Sequence, residues 1–238
     1  MVPVHLVDGG AGAGRVNGAL NRALLGDAEA ILLDFDGPIC SIFAGLPAPG
    51  VARQLLRVLS DAGVSLPESV AAETDPMEVL RFSAGVDRPE LVRQVDDELT
   101  AAELAAVPLA RPTPGAAEFI GAARYEGRLV AVVSNNSSAA VHAYLEAHDL
   151  ADDLAHVVGR RHAEPNLMKP NPEPIREALR RLGATSAAAV LIGDSTADVE
   201  AARTAGVRCI GFADRGYRYD RLTEAGADAV VKSMFELL

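Results

Sequence analysis

Six short, almost wholly apolar runs recur along the chain, at residues 30–33, 129–133, 156–158, 189–192, 207–211 and 229–231, and stretches with helical spacing separate them. Runs of this length without polar alternation suit strands that are covered on both faces. Strands that alternate with helices pair in parallel, because a parallel neighbour is reached only through a crossover. The pattern therefore predicts an α/β chain whose core is a three-layer, Rossmann-like parallel sheet. Helix ends are also legible between the runs. Asn171-Pro172 opens a helix that stops at Gly183, with asparagine as cap and proline in the first turn, and Ser233 caps a short final helix.

Between residues 43 and 111 the pattern changes. Val51, Leu55, Val58 and Leu59, and later Leu91, Val95 and Leu99, recur at helical spacing, and no convincing strand intervenes. This segment reads as an all-helical cap, residues 43–111, inserted into a core made of residues 30–42 and 112–238. Pro47 and Pro49 on one side, and Pro112 and Pro114 on the other, are the expected hinges. An insert that leaves the sheet directly after its first strand would lie over the carboxyl edge as a lid. Residues 1–29 read as an N-terminal leader. Their glycine-rich stretch, Gly9 to Gly14, fails as a dinucleotide loop because Asn17 stands where the third glycine belongs.

Bulk properties narrow the partner. A net charge of −11 argues against nucleic acid, whose affinity is built largely from lysine and arginine on phosphates. No apolar stretch approaches the roughly 20 residues of a membrane span. The first residues also lack the basic start and apolar run of a signal peptide, so the expected setting is cytoplasmic, with a small-molecule partner and a monomer or homodimer. The two cysteines, Cys40 and Cys209, do not make a disulfide framework and read as buried small residues. Cys40 stands close enough to Asp36 to line a site.

Four segments carry chemistry. Asp34-Phe35-Asp36-Gly37 follows the first apolar run, so a buried strand ends in two acids at the sheet edge where such folds bind ligands. Carboxylates this close repel unless a cation or a shared proton intervenes. Ser134-Asn135, at the end of the second run, joins a strand to a helix and offers a hydroxyl and backbone N–H groups to an anion. Lys169 precedes a Pro-Asn-Pro turn in a chain with 20 arginines and only one other lysine, Lys232. Such a choice favours a compact ammonium where a forked guanidinium would not fit. Replacing Lys169 by arginine is expected to alter stability little, as a surface-type swap. Gly193-Asp194 ends the fourth run, and Asp198 follows at a helix start. Asp34, Asp36 and Asp194 together would give the oxygen-rich shell that Mg2+ prefers.

In order and context, Asp34-x-Asp36-Gly37, Ser134-Asn135, Lys169-Pro170 and Gly193-Asp194-x-x-x-Asp198 resemble the four motifs of the haloacid dehalogenase superfamily over about residues 30–238. The insert resembles the small helical cap of that family's phosphoglycolate phosphatase-like branch. The resemblance implies a Mg2+-dependent phosphatase that hydrolyses a small phosphorylated metabolite through an aspartyl-phosphate. It implies Asp34 as nucleophile and Asp36 as general acid and base. It implies Ser134, Asn135 and Lys169 around the phosphoryl group. The metal would be held by Asp34, the Asp36 main-chain carbonyl and Asp194, with Asp198 assisting. An acid at position 36 favours phosphate esters, whereas Pro38 departs from the usual pattern. A phosphomutase of the same fold and a non-catalytic phosphometabolite-binding protein are the alternatives. Cap residues Phe43, Leu46, Arg53, Arg57, Met77, Arg81 and Phe82 are candidates for specificity.

Overall fold

The computed structural model describes residues 25–238, so the glycine-rich stretch of the leader lies outside the described residues. In chain order the elements are β1 (Ala30–Leu33), β2 (Cys40–Ser41), α1 (Ala48–Asp61), α2 (Glu68–Ala71), α3 (Pro76–Ala84), α4 (Pro89–Ala106) and β3 (Arg111–Pro112). The alternating part follows as α5 (Ala116–Tyr125), β4 (Leu129–Ser137), α6 (Ser138–Ala147), β5 (His156–Arg160), α7 (Glu173–Leu182), β6 (Ala189–Gly193), α8 (Thr196–Ala205), β7 (Arg208–Phe212), α9 (Gly216–Ala225) and β8 (Ala229–Val231).

The six apolar runs form one parallel sheet in the order β5-β4-β1-β6-β7-β8. Because β1 lies between β4 and β6, the chain builds first to one side of it and then to the other. The carboxyl end of β1 is therefore the point where strand order reverses and a crevice opens. Alternate side chains of β1 serve opposite layers. Ile31 and Leu33 pack with Phe119, Ile120 and Tyr144, and Ala30 and Leu32 with Ile175, Leu179 and Val199.

The helical insert has its own core, in which Val51, Leu55 and Leu59 of α1 meet Val79 and Leu80 of α3 and Leu91, Val95 and Leu99 of α4. Met168, next to Lys169, joins this cluster from the sheet side. A feature the apolar pattern did not announce is the antiparallel ribbon of β2 with β3, Cys40 opposite Pro112 and Ser41 opposite Arg111, which ties the chain's way into the insert to its way out. Two-residue strands carry no alternation to read. Two helix ends also differ from expectation. Pro172 takes the cap position of α7, one residue later than read, while the Asn171 side chain accepts from the Glu173 N–H at 2.9 Å. The final turn capped by Ser233 is a 3-10 helix, Met234–Leu237.

Candidate active site

Asp34 leaves β1 with its N–H on the Ile192 carbonyl at 2.9 Å, so its backbone is fixed against β6. The chain then turns sharply. Gly37 has φ of +115° and donates to the Cys40 carbonyl at 2.6 Å, and the Thr113 hydroxyl donates to the Gly37 carbonyl at 2.5 Å. A β-carbon at Gly37 would lie 2.5 Å from the Asp194 carboxyl carbon, so glycine here lets the two loops touch. Within the turn, the Asp36 carboxylate accepts from the Ile42 N–H at 3.0 Å. Asp34, Asp36, Ser134, Asn135, Lys169 and Asp194 all line one cavity of about 560 Å³ beneath the insert.

Lys169 is nearly fully buried, with its ammonium 2.9 Å from Asp34 Oδ1, 2.5 Å from Asp198 Oδ1 and donating to the Val133 carbonyl at 2.7 Å. Asp198 is at the start of α8. Its Oδ2 accepts from the Ser195 N–H at 3.1 Å and from the Ser195 hydroxyl at 2.5 Å, so one oxygen faces lysine and the other completes a capping box. Asn135 spends its side chain on Lys169, accepting from the Lys169 N–H at 2.8 Å and donating to the Lys169 carbonyl at 3.1 Å. Ser134 Oγ accepts from the Asn136 N–H at 3.1 Å and donates to Asn136 Oδ1 at 3.2 Å.

Acids exceed cations at this edge. Asp34, Asp194 and Asp198 each place one oxygen within 4.8 Å of the others. Burial raises the Asp34, Asp36 and Asp194 carboxyls above the usual range, Asp36 to about 6, and Asp198 adds to the effect on Asp34 and Asp194. For Lys169 burial opposes the charged form, but the Asp198 and Asp34 carboxylates outweigh it and push the ammonium up. An all-oxygen donor set with surplus negative charge, held out of water, fits a hard divalent cation.

Sequence reasoning missed Arg218 on α9, which pairs with Asp194 and lies 3.2 Å from Asp214 Oδ1. It also missed Thr113 on the Gly37 carbonyl, whereas Arg81, one of the cap candidates, places its guanidinium on the Lys169 carbonyl. In a chain this rich in arginine, an arginine carries little contrast. Of the cap candidates, Phe43, Met77 and Arg81 line the cavity with Asp34. Leu46 and Phe82 pack into the insert's own core, and Arg53 and Arg57 are exposed. Cys40 and Cys209 are both buried, and burial raises both thiols. Cys40 does not line this cavity, because its side chain packs into the apolar core beside Tyr144.

Residues 67–212 match the family model described as haloacid dehalogenase-like hydrolase. A phosphoglycolate phosphatase from Rhodospirillum rubrum is 32% identical over 216 residues, which cover 85% of this chain and 86% of that one. A plasmid-borne phosphoglycolate phosphatase from Cupriavidus necator is 31% identical over 229 residues, with 86% and 89% covered. Among solved structures, a predicted phosphatase from Clostridium acetobutylicum matches with a TM-score of 0.68 at 20% identity, covering 88% of this chain and 96% of that one. CbbY from Rhodobacter sphaeroides in complex with phosphate matches with a TM-score of 0.64 at 24% identity, with the same coverage.

Proposed function

The chain belongs to the haloacid dehalogenase-like hydrolases and is a phosphatase, and from this premise we propose a Mg2+-dependent phosphomonoesterase that works through an aspartyl-phosphate on Asp34. The observation that carries the reading is the Asp34 carboxylate, held at the strand-order switch beside the Lys169 ammonium at 2.9 Å. In this account an Asp34 oxygen attacks phosphorus as the ester P–O bond breaks, and the departing alkoxide takes its proton from Asp36. Water then attacks the aspartyl-phosphate and gives a proton back to Asp36, which releases phosphate and frees Asp34. A carboxyl raised to about 6 suits a group that must alternate between acid and base near neutrality. Splitting hydrolysis into two displacements makes each step easier.

Ser134 and the Asn135 main-chain N–H would receive the phosphoryl oxygens, since the Asn135 side chain is held by Lys169. Lys169 offsets phosphoryl charge. Asp34, the Asp36 carbonyl and Asp194 would hold Mg2+, which supplies charge neutralisation at the phosphoryl oxygens. Asp198 assists through Lys169, and Arg218 would yield Asp194. Residues 43–111 serve as the cap and residues 30–42 and 112–238 as the catalytic core. No helix among the described residues is long and apolar enough to cross a membrane.

The substrate we propose is a small phosphate ester with a second anionic group, of which 2-phosphoglycolate is the first to test. A second cavity of about 710 Å³ shares Asp36, Phe43 and Asp194 with the first and adds Arg111 and Arg215. Those cations would draw a carboxylate or a second phosphate. The test is phosphate release from a panel of phosphorylated metabolites with Mg2+. Turnover is expected with Mg2+, with a preference for esters whose tail carries a second anionic group, and inhibition by Ca2+, which favours looser coordination. Undiminished turnover in excess chelator would overturn the metal requirement.

Melting supplies an independent check. Asp36 and its buried neighbours bind protons more tightly in the folded chain than in the unfolded one, where their usual value is 3.8. Their contribution to stability is therefore present below about pH 4 and lost as pH rises through about 6 for Asp36 and about 7 for Asp34. Mg2+ would compete with protons for the carboxyl oxygens of Asp34 and Asp194, so its stabilisation should be larger near pH 7.5 than near pH 5. Equal shifts at both pH values would contradict this.

A further inference from the structure

Helix α4 carries three polar side chains, Asp96, Thr100 and Glu103, at helical spacing on a face that is otherwise apolar, and all three meet Arg160 at the end of β5. Asp96, Glu103 and the Arg160 side chain are almost wholly excluded from water. Arg160 donates to Asp96 Oδ1 at 2.8 Å, Thr100 Oγ1 at 3.1 Å, Glu103 Oε1 at 2.8 Å, Glu103 Oε2 at 3.3 Å and the Asn135 carbonyl at 2.8 Å. The second oxygen of Asp96 takes the Ala163 N–H at 2.7 Å.

Glu103 continues the chain of contacts into the sheet. Its Oε1 also accepts from Asn136 Nδ2 at 3.1 Å and its Oε2 from the Ser137 N–H at 2.9 Å. Asn136 in turn holds Ser134 Oγ on both sides, through its N–H and through its side-chain oxygen. A line of buried hydrogen bonds thus runs from the inserted helix to the hydroxyl at the floor of the cavity.

We propose that Glu103, anchored by Arg160 and Asp96, is a positioning residue that sets the shape of the Ser134–Ser137 anion cradle from outside the sheet. The inference rests on the phosphatase reading of that cradle. Stability does not explain such a cluster, since a buried ion group is often replaceable by apolar residues at no loss, whereas breaking it leaves a bare charge. What the cluster provides is a fixed geometry. All four neighbours of the Glu103 carboxylate are donors, so the hydroxyl of Ser134 is left with one free choice, its own proton, which points to Asn136 Oδ1 and is available to a phosphoryl oxygen.

The test substitutes Glu103→Gln, nearly identical in shape. In either orientation the new amide turns its N–H groups toward Arg160 and toward either Asn136 Nδ2 or the Ser137 N–H, so donors face donors and the loop must shift. Inorganic phosphate, as a product inhibitor, is the probe, with thermal melting alongside and Leu55→Ala as control. Leu55 lies in the insert's own core and removing its side chain loosens that core without touching the cradle. Phosphate inhibition is expected to weaken on the order of tenfold or more in Glu103→Gln, and to stay within about twofold in Leu55→Ala at a comparable fall in melting temperature. Unchanged phosphate inhibition in Glu103→Gln, or an equal loss in Leu55→Ala, overturns the positioning role. A parent protein that neither binds phosphate nor turns over an ester overturns the reading of the site itself, and this inference with it.

Discussion

Replacing Asp34 by asparagine should abolish turnover, by at least about 10³-fold, while the protein stays folded. An amide cannot form an acyl-phosphate, and among the described residues the neighbouring carboxylates are already engaged, Asp36 by the Ile42 N–H. Asp198 has one oxygen 2.5 Å from the Lys169 ammonium and the other on Ser195, and Asp194 is paired with Arg218. Stability is not expected to fall. Burial disfavours the ionised Asp34, so the neutral isostere relieves repulsion with Asp198, and Lys169 keeps Asp198 and the Val133 carbonyl as partners. Melting should match or exceed the parent. Phosphate release from an aryl phosphate within about tenfold of the parent would sink the nucleophile assignment.

The second large effect concerns Lys169→Arg. The ammonium fills a closed space between Asp34 Oδ1, Asp198 Oδ1 and the Val133 carbonyl, and a planar, forked head cannot occupy it without displacing one of them. A shift of about 1 Å at the reacting atoms can cost on the order of 10²-fold in kcat/KM. The expectation that this swap leaves stability untouched does not survive the structure, because Lys169 is only 2% exposed. Overpacking of this kind typically costs about 1–3 kcal/mol, so the melting temperature should drop as well. Lys232→Arg is the control. Lys232 is exposed and lies 5.1 Å from the centre of the Tyr219 ring, a contact that arginine can also make. Near-parental kcat/KM in Lys169→Arg, or equal losses in both variants, would contradict the assigned role.

What could be read in the sequence follows from contrast. Asp34 and Asp194 stood out because each ends a run in which every other residue is apolar, and a carboxylate there must serve something. Lys169 stood out as one lysine among arginines. Arg160 and Arg218 had no such contrast, although one organises the cavity wall and the other touches a group that lines it. The polar stripe Asp96, Thr100 and Glu103 was a readable signal, since three polar residues on the face shared with Leu99 and Ala106 cannot be buried without partners. The partners themselves came from distant parts of the chain, 57 to 64 positions away for Arg160, and only the fold brings them together. The β2–β3 ribbon was invisible for a different reason, as its pairing depends on where the insert returns.

The account stands on a covalent bond to Asp34, and trapping that bond is the most direct measurement. Enzyme mixed with a substrate from the panel is quenched in acid during the first turnover, reduced with borohydride, digested and analysed by mass spectrometry. A phosphorylated carboxylate is reduced to the alcohol, so homoserine should be found at position 34, and only when substrate and Mg2+ were both present. Phosphate released in full stoichiometry with Asp34 unmodified at every quench time would contradict the aspartyl-phosphate mechanism.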